Sequence, residues 1–135
     1  MSIFSKQDIG RLGEKLAARY LKKQGYRVLA RNLHFGKNEL DLVVKNKEYL
    51  AFVEVKTRTF ETAEEAEIHR PALAVNREKR ERTLQATRDY LQKHPAHGLC
   101  PRLDVIEVAL DRHHPKKVFR IHHIEAAFTA TGKVR

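Results

Sequence analysis

Apolar residues recur along the chain at two spacings, and the switch between them marks out its elements. Ile9, Leu12, Leu16 and Tyr20 repeat at helical spacing, predicting a helix over residues 8–24 with Asp8 as its cap and Gly25 as its end. Gly10 and Gly13 inside it each cost about 1 kcal/mol of propensity, and their expected use is close approach to another backbone. The pattern then becomes strand-like: residues 26–30, 39–45 and 49–56 read as strands, with 32–38 connecting the first two. Residues 76–93 form a second predicted helix, capped by Asn76, with Leu84, Thr87 and Leu91 inward. That stripe continues backward to Arg80 and Arg77, which should project past the core. Strands follow at 102–110 and 117–122 around a turn at 111–115, then a short helix at 124–128. With no internal repeat, low-complexity tract or linker, residues 1–135 read as one domain.

The polar positions of the second and third strands carry the chemistry. Side chains alternate along a strand, so Leu40, Leu42 and Val44 should share one face while Glu39 and Asp41 take the other. In the next strand Ala51, Val53 and Val55 oppose Glu54 and Lys56, the latter pair about 7 Å apart. A hairpin through Asn46 and Lys47 would set Asp41 beside Glu54, because antiparallel neighbours lie about 4.8 Å apart. Carboxylates that close repel unless a cation lies between them. The natural cation is Mg2+ or Mn2+, which combines one or two carboxylates with waters and phosphate oxygens, an arrangement that hydrolyses phosphodiesters. Lys56 would then stabilise charge on the phosphate or orient the attacking water. Glu-Val-Lys by itself equally fits a surface ion pair; Asp41, interrupting an apolar strand, shifts the balance. Glu39, at the strand edge, fits an exposed end as well as a metal contact. Glu14 lies about 140° around the first helix from Ile9 and by periodicity is a solvated acid.

Composition narrows the partner. Lysine and arginine total 27 against 17 acids, for a formal charge of +10, which points to a polyanion. Thr57 and Arg58 are candidate phosphate contacts. Arg77, Lys79, Arg80 and Arg82 either track a nucleic-acid backbone or form a solvated face. Glu61, Glu64, Glu65 and Glu67 make an acidic patch without a nearby cation in sequence, read as a loop or loose helical turn that could gate the site. The single cysteine, Cys100, excludes an internal disulfide and argues for a reducing compartment. No stretch has the length and apolarity of a signal peptide or membrane span, so a cytoplasmic protein without membrane association is expected. The only serines, Ser2 and Ser5, lie in the expected flexible start, which argues against a serine hydrolase. The six glycines form no phosphate-cradling loop, so no nucleotide cofactor is expected. The adjacent pairs His113–His114 and His122–His123 point to opposite faces, a poor start for a zinc site.

Gly10-x-x-Gly13-Glu14, Leu21 with Gly25-Tyr26, Arg31-Asn32, Glu39-Leu40-Asp41-Leu42, Phe52-Val53-Glu54-Val55-Lys56-Thr57-Arg58, Lys79-x-x-x-x-Leu84, Asp104-Val105-Ile106 and Ile121-His122-His123-Ile124 together resemble the bacterial YraN family, also called UPF0102. That family is similar to archaeal Holliday junction resolvases, within the restriction-endonuclease-like PD-(D/E)xK nucleases. The resemblance implies an α/β fold with a central five-stranded mixed sheet flanked by helices. It also implies Asp41 and Glu54 as metal ligands, Lys56 as the catalytic lysine, and Glu14 as a metal-site carboxylate on the first helix. The family's glycine before the second-strand glutamate is here Asn38, which also tolerates a left-handed turn.

The expected activity is therefore a Mg2+- or Mn2+-dependent DNA endonuclease acting on branched or structured DNA. Symmetric cleavage of a junction needs two active sites, so a homodimer is expected. The rival readings are a non-catalytic nucleic-acid-binding protein that keeps the fold, and a nuclease acting on RNA.

Overall fold

The first helix starts earlier than its apolar stripe suggests. In the computed structural model, which describes residues 4–69 and 77–127, α1 spans Lys6–Lys23, and Ser5 is its cap. The Ser5 hydroxyl accepts from the Asp8 amide at 3.0 Å and the Asp8 carboxylate accepts from the Ser5 amide at 3.1 Å. Asp8 is thus the reciprocal member of a capping box three residues into the helix, and Ser5 is an ordered residue. Gly25, at φ +95°, closes the other end. The fully buried residues of α1 are Gly13, Ala17, Ala18 and Leu21, with Ile9, Leu12, Leu16 and Tyr20 flanking them. Small residues on the contact line let the helix approach the sheet closely. A Cβ on Gly13 would fall 1.7 Å from the Thr57 hydroxyl oxygen, so the close approach is to a side chain. Gly10 has nothing within 4 Å of its missing Cβ and is not a packing glycine.

Five strands, β1 (Arg27–Phe35), β2 (Asn38–Lys45), β3 (Tyr49–Phe60), β4 (Cys100–Asp111) and β5 (Val118–Ile124), form one sheet in sequence order. The β3/β4 pair is parallel and the others antiparallel, so the sheet is mixed and the protein α/β. The parallel pair needs a crossover, which α2 (Ala63–Ile68) and α3 (Arg77–Lys93) supply. On one face α1 covers Leu42, Val44, Ala51, Val53, Ile106 and Val108. On the other, Leu84, Ala86 and Tyr90 of α3 pack on Leu40, Val43, Leu50, Phe52, Leu103 and Val105. These two layers make the central sheet flanked by helices that the family resemblance implied.

Several boundaries differ from expectation for physical reasons. β1 runs through residues 32–35, because Leu33 and Phe35 continue to pack toward α3, and the connection shrinks to a turn at Gly36–Lys37. β3 extends four residues past Lys56, carried by its parallel ladder to β4 as far as Phe60↔Asp111. Ile124 ends β5 and is followed by a turn rather than starting a helix. Asn76 and Phe128 lie outside the described residues. The acidic stretch forms α2, with Thr62 as its cap. Its missing cations come from the β4–β5 turn, where Arg112 and His113 both reach Glu61, at 2.8 and 2.5 Å. Buried Asp104 ties the far end of the sheet together, accepting from both nitrogens of the Arg102 fork, from His123 and from the Ala126 amide.

Candidate active site

The site is made by a fault in strand alternation. Leu40 packs with Val43 on the α3 side while Leu42 and Val44 face α1, so the pleat changes phase at Asp41. This corrects the expectation that Leu40, Leu42 and Val44 share a face. In β1 the burial alternation also slips, at Arg31–Asn32, and Asn32 has a left-handed backbone at φ +50°. The register pairs Arg31↔Leu42 and Leu33↔Leu40, which makes Asn32 the cross-strand neighbour of Asp41. The β2/β3 ladder runs from Lys45↔Leu50 to Leu42↔Val53 and stops there, one step short of Asp41 and Glu54. There the Val55 amide donates to the Asp41 carboxylate at 2.8 Å. A side chain has taken over a backbone's hydrogen bond, and the strands part around it.

Three acids from three elements act on one another across this fault. Asp41 and Glu54 are buried, at 7% and 4% exposure. Burial pushes the Asp41 carboxyl up to about 8; the Glu54 charge adds to this, the Val55 amide opposes it, and Glu14 adds further. Glu14 reaches in from α1. Burial raises its pKa too, against a hydrogen bond from the Asn32 side chain and with the charges of Glu39 and Glu54 adding. The phase change explains how Asp41 can sense Glu14 on the α1 side and Glu54 with Lys79 on the α3 side.

Lys79 is the residue whose place the sequence pattern disguised. Expected on a nucleic-acid-tracking face, its ammonium instead pairs with the Glu54 carboxylate. Burial pulls its pKa down, but Glu54, Asp41 and Glu39 more than offset this and hold it above the ordinary lysine value. Beside it, Lys37, Glu39, Glu54, Lys79, Arg82 and Thr83 line a cleft of about 210 Å³. Arg77 pairs with Glu81 and Arg82 with Glu78 along the helix surface, while Arg80 is half-buried. Periodicity could not separate Lys79 from these neighbours, because the direction of a long side chain is chosen by the carboxylate it meets.

Lys56 follows Glu54 along β3, with its Cα opposite that of Glu107 in β4. Burial, helped by the charges of Arg58 and Lys79, lowers its pKa below the usual lysine range. Arg58 donates to Glu107 at 3.3 Å. Glu107 and His69 were not foreseen as neighbours of the site. Their facing atoms, Glu107 Oε1 and His69 Nε2, lie 3.7 Å apart, buried and without a hydrogen-bond partner. A signal for Glu107 existed, since it interrupts the apolar run Val105–Leu110 much as Asp41 interrupts its own. Thr57 packs beneath Gly13 and, with Glu14, Arg58 and His69, borders a groove of about 830 Å³ on the α1 side.

The residues present suit a hard divalent cation. Burial, with the charges of Glu54 and Glu14 adding to it, raises the Asp41 carboxyl to about 8, and a lysine ammonium already sits against Glu54 as a cation would. Among the described residues no group of three or more His, Cys, Asp or Glu side chains is gathered tightly enough to hold a metal ion. Asp41 and Glu54 would therefore be the two protein ligands, with Glu14 and Glu39 further out.

Residues 13–108 match the model of the uncharacterised protein family UPF0102. The chain belongs to the UPF0102 family. Among UPF0102 relatives, a protein of Chlorobaculum tepidum is 39% identical over 130 residues, covering 94% of this chain and 96% of its own. One from Pelotomaculum thermopropionicum is 41% identical over 120 residues (89% and 94% covered), and one from Solibacter usitatus 44% over 103 (75% and 74%). A solved structure, Pyrococcus furiosus SfsA in complex with Ca2+, aligns with a TM-score of 0.41 and 15% identity over 85% of this UPF0102 chain and 63% of that one. A likeness that loose says nothing about chemistry. No described helix of the UPF0102 chain is long and apolar enough to cross a membrane.

Proposed function

We propose that this protein is a Mg2+- or Mn2+-dependent endonuclease that hydrolyses phosphodiester bonds in branched or structured DNA. The observation that supports the reading is the paired break in strand alternation, which buries Asp41 and Glu54 together, with Glu14 within electrostatic reach from α1 and Lys56 two residues on along β3. When bound, the metal ion would polarise the phosphate and acidify a water. The chain's own residues do the rest. Asp41 and Glu54 would hold the ion, and Lys79, which pairs with Glu54, stands within the same site as a cation for the substrate's phosphates. Lys56, its pKa lowered by burial, donates a hydrogen bond from Nζ to the scissile phosphate or orients the water. Arg58, Thr57 and the exposed cations of α3 meet the flanking backbone. Opposed cuts in a junction need two such sites, hence a homodimer.

A second reading rests on the Lys79–Glu54 pair itself. A lysine that neutralises Glu54 permanently leaves no place for a metal, and the protein is then a basic nucleic-acid-binding module. The deciding experiment incubates labelled four-way junction, flap, single-stranded and linear duplex DNA with Mn2+, Mg2+ or chelator, with Lys56→Ala run in parallel. Metal-dependent products that vanish in the variant are expected. Binding of all substrates, indifferent to metal and to Lys56→Ala, with nothing cut, gives the case to the binding module.

A further inference from the structure

Strand β4 buries two acids on neighbouring turns of its pleat, Asp104 and Glu107, and provides for them very differently. Asp104 accepts from both nitrogens of the Arg102 fork, from His123 and from the Ala126 amide, and Arg102 is buried with it. An acid that serves only the fold should look like this, because a buried charge must be paired and its lone pairs filled. Glu107 is 2% exposed, yet its Oε2 accepts from Arg58 Nε at 3.3 Å and its Oε1 has no hydrogen-bond partner. Over Oε1 stands His69, with Nε2 3.7 Å away. The His69 amide donates to the Glu65 carbonyl at 3.0 Å, its carbonyl accepts from Arg120 at 3.2 Å, and its ring lies against Phe60. An anchored imidazole thus covers the carboxylate, whose charge acts on its neighbours through a low dielectric.

Those neighbours are the cations that follow Glu54. The Cα of Lys56 lies opposite that of Glu107, and Arg58, one pleat further on, makes the hydrogen bond. The Arg58 side chain is 40% exposed. Because Nε serves Glu107, the two NH2 groups of the guanidinium are left for another acceptor. Arg58 borders the groove of about 830 Å³ together with Lys6 and Arg112. Three cations along one groove, one of them a planar fork fixed by a buried carboxylate, suit a chain of phosphates.

We infer that Glu107 is a positioning residue for nucleic-acid binding: it fixes the Arg58 guanidinium at the groove, where the NH2 groups meet a backbone phosphate. This deepens the function proposed above and rests on the nucleic-acid contact that both readings of the site share. The alternative is that Glu107 only balances charge within the fold. Removing it would then take a negative charge from the binding face and leave the affinity for a polyanion unchanged or tighter. If Glu107 aims Arg58, removing it weakens binding although the protein becomes more positive.

The experiment follows binding of labelled four-way junction and linear duplex DNA by fluorescence anisotropy, with Ca2+ in place of Mg2+ or Mn2+ and thermal melting alongside. It compares wild type, Glu107→Leu, Arg58→Lys and the double variant. Leucine continues the apolar run of β4, so Glu107→Leu is expected to melt within a few degrees of wild type. It is expected to bind DNA about 10-fold more weakly, the loss of one charged hydrogen bond, with the slope of log affinity against log salt lower by about 1. Arg58→Lys keeps the charge and loses the fork, so it too is expected to bind more weakly. The double variant is expected to bind no more weakly than the weaker single variant. Glu107→Leu binding DNA as tightly as wild type or tighter, or a double variant in which the two losses add, overturns the role given to Glu107. Should Glu107→Leu melt below the assay temperature, Arg58→Lys decides, and wild-type affinity there overturns the proposal. A wild type that binds neither DNA overturns the nucleic-acid reading beneath it.

Discussion

At the scale of single residues, Asp41 is a carboxyl held against its ordinary titration. Its carboxyl, ordinarily near 3.8, is raised to about 8 in the folded state. A raised folded pKa means that the fold prefers the protonated form. The associated stability is complete below the unfolded value and is lost as pH climbs through the folded one. Asp41→Asn should therefore melt higher than wild type, by a margin that widens from about pH 5 to about pH 8.5. Added Mn2+ should raise the wild-type melting temperature at the upper pH and leave Asp41→Asn unmoved; thermal melts at both pH values, with and without metal, check this. A constant margin would mean that the Asp41 carboxyl is not raised in the folded state. Asp41, Glu54 and Lys56 were all legible as candidates, because charges that interrupt apolar strands stand out in any sequence. Asn32, Lys79 and Glu107 were not singled out for the site. Their parts depend on contacts between separate elements, which periodicity does not encode.

At the scale of elements, the docking of α1 decides whether Glu14 arrives at all. Gly13, one residue before it, rests on Thr57, where an added Cβ would overlap the hydroxyl oxygen, Cβ and Cγ2 of that threonine. Overpacking at such a contact costs about 1–3 kcal/mol. Gly13→Ala is expected to lose about that much stability in urea unfolding, and Thr57→Ala in the same chain to restore part of it, since the overlap is with that side chain. An additive double variant would show that Gly13 serves its own helix instead. The helix stripe read from the sequence was offset from the buried line, because hydrophobic periodicity marks large residues, while glycine and alanine made the close contact. The ends of β1 and β3 were hidden for a related reason: their outer residues are held by ladders to neighbouring strands rather than by their own pattern.

At the scale of the whole molecule, the +10 charge sets the strength of any nucleic-acid contact. If about four cations around the site, among them Lys37, Arg58 and Arg82, meet phosphates, affinity for DNA should fall about 100-fold between about 50 and 200 mM salt. Arg82→Ala should lower the slope of log affinity against log salt by about 1. Fluorescence anisotropy across a salt series measures both, and a flat response would remove this face as the interface. The α/β class came from the family resemblance, while the sequence by itself determined the order of the two long helices and the five strands, the β2–β3 hairpin and the charged residues on its strands. Those properties follow from local periodicity, turn chemistry and neighbours a few positions apart. Only the tertiary structure decided that β3 and β4 run parallel, that the pleat breaks at Asn32 and Asp41, and that Glu14 and Lys79 enter from opposite faces. Each of those depends on which surfaces meet when two dry layers close over one sheet. That choice is made by packing and charge between distant segments, and no window along the chain contains it.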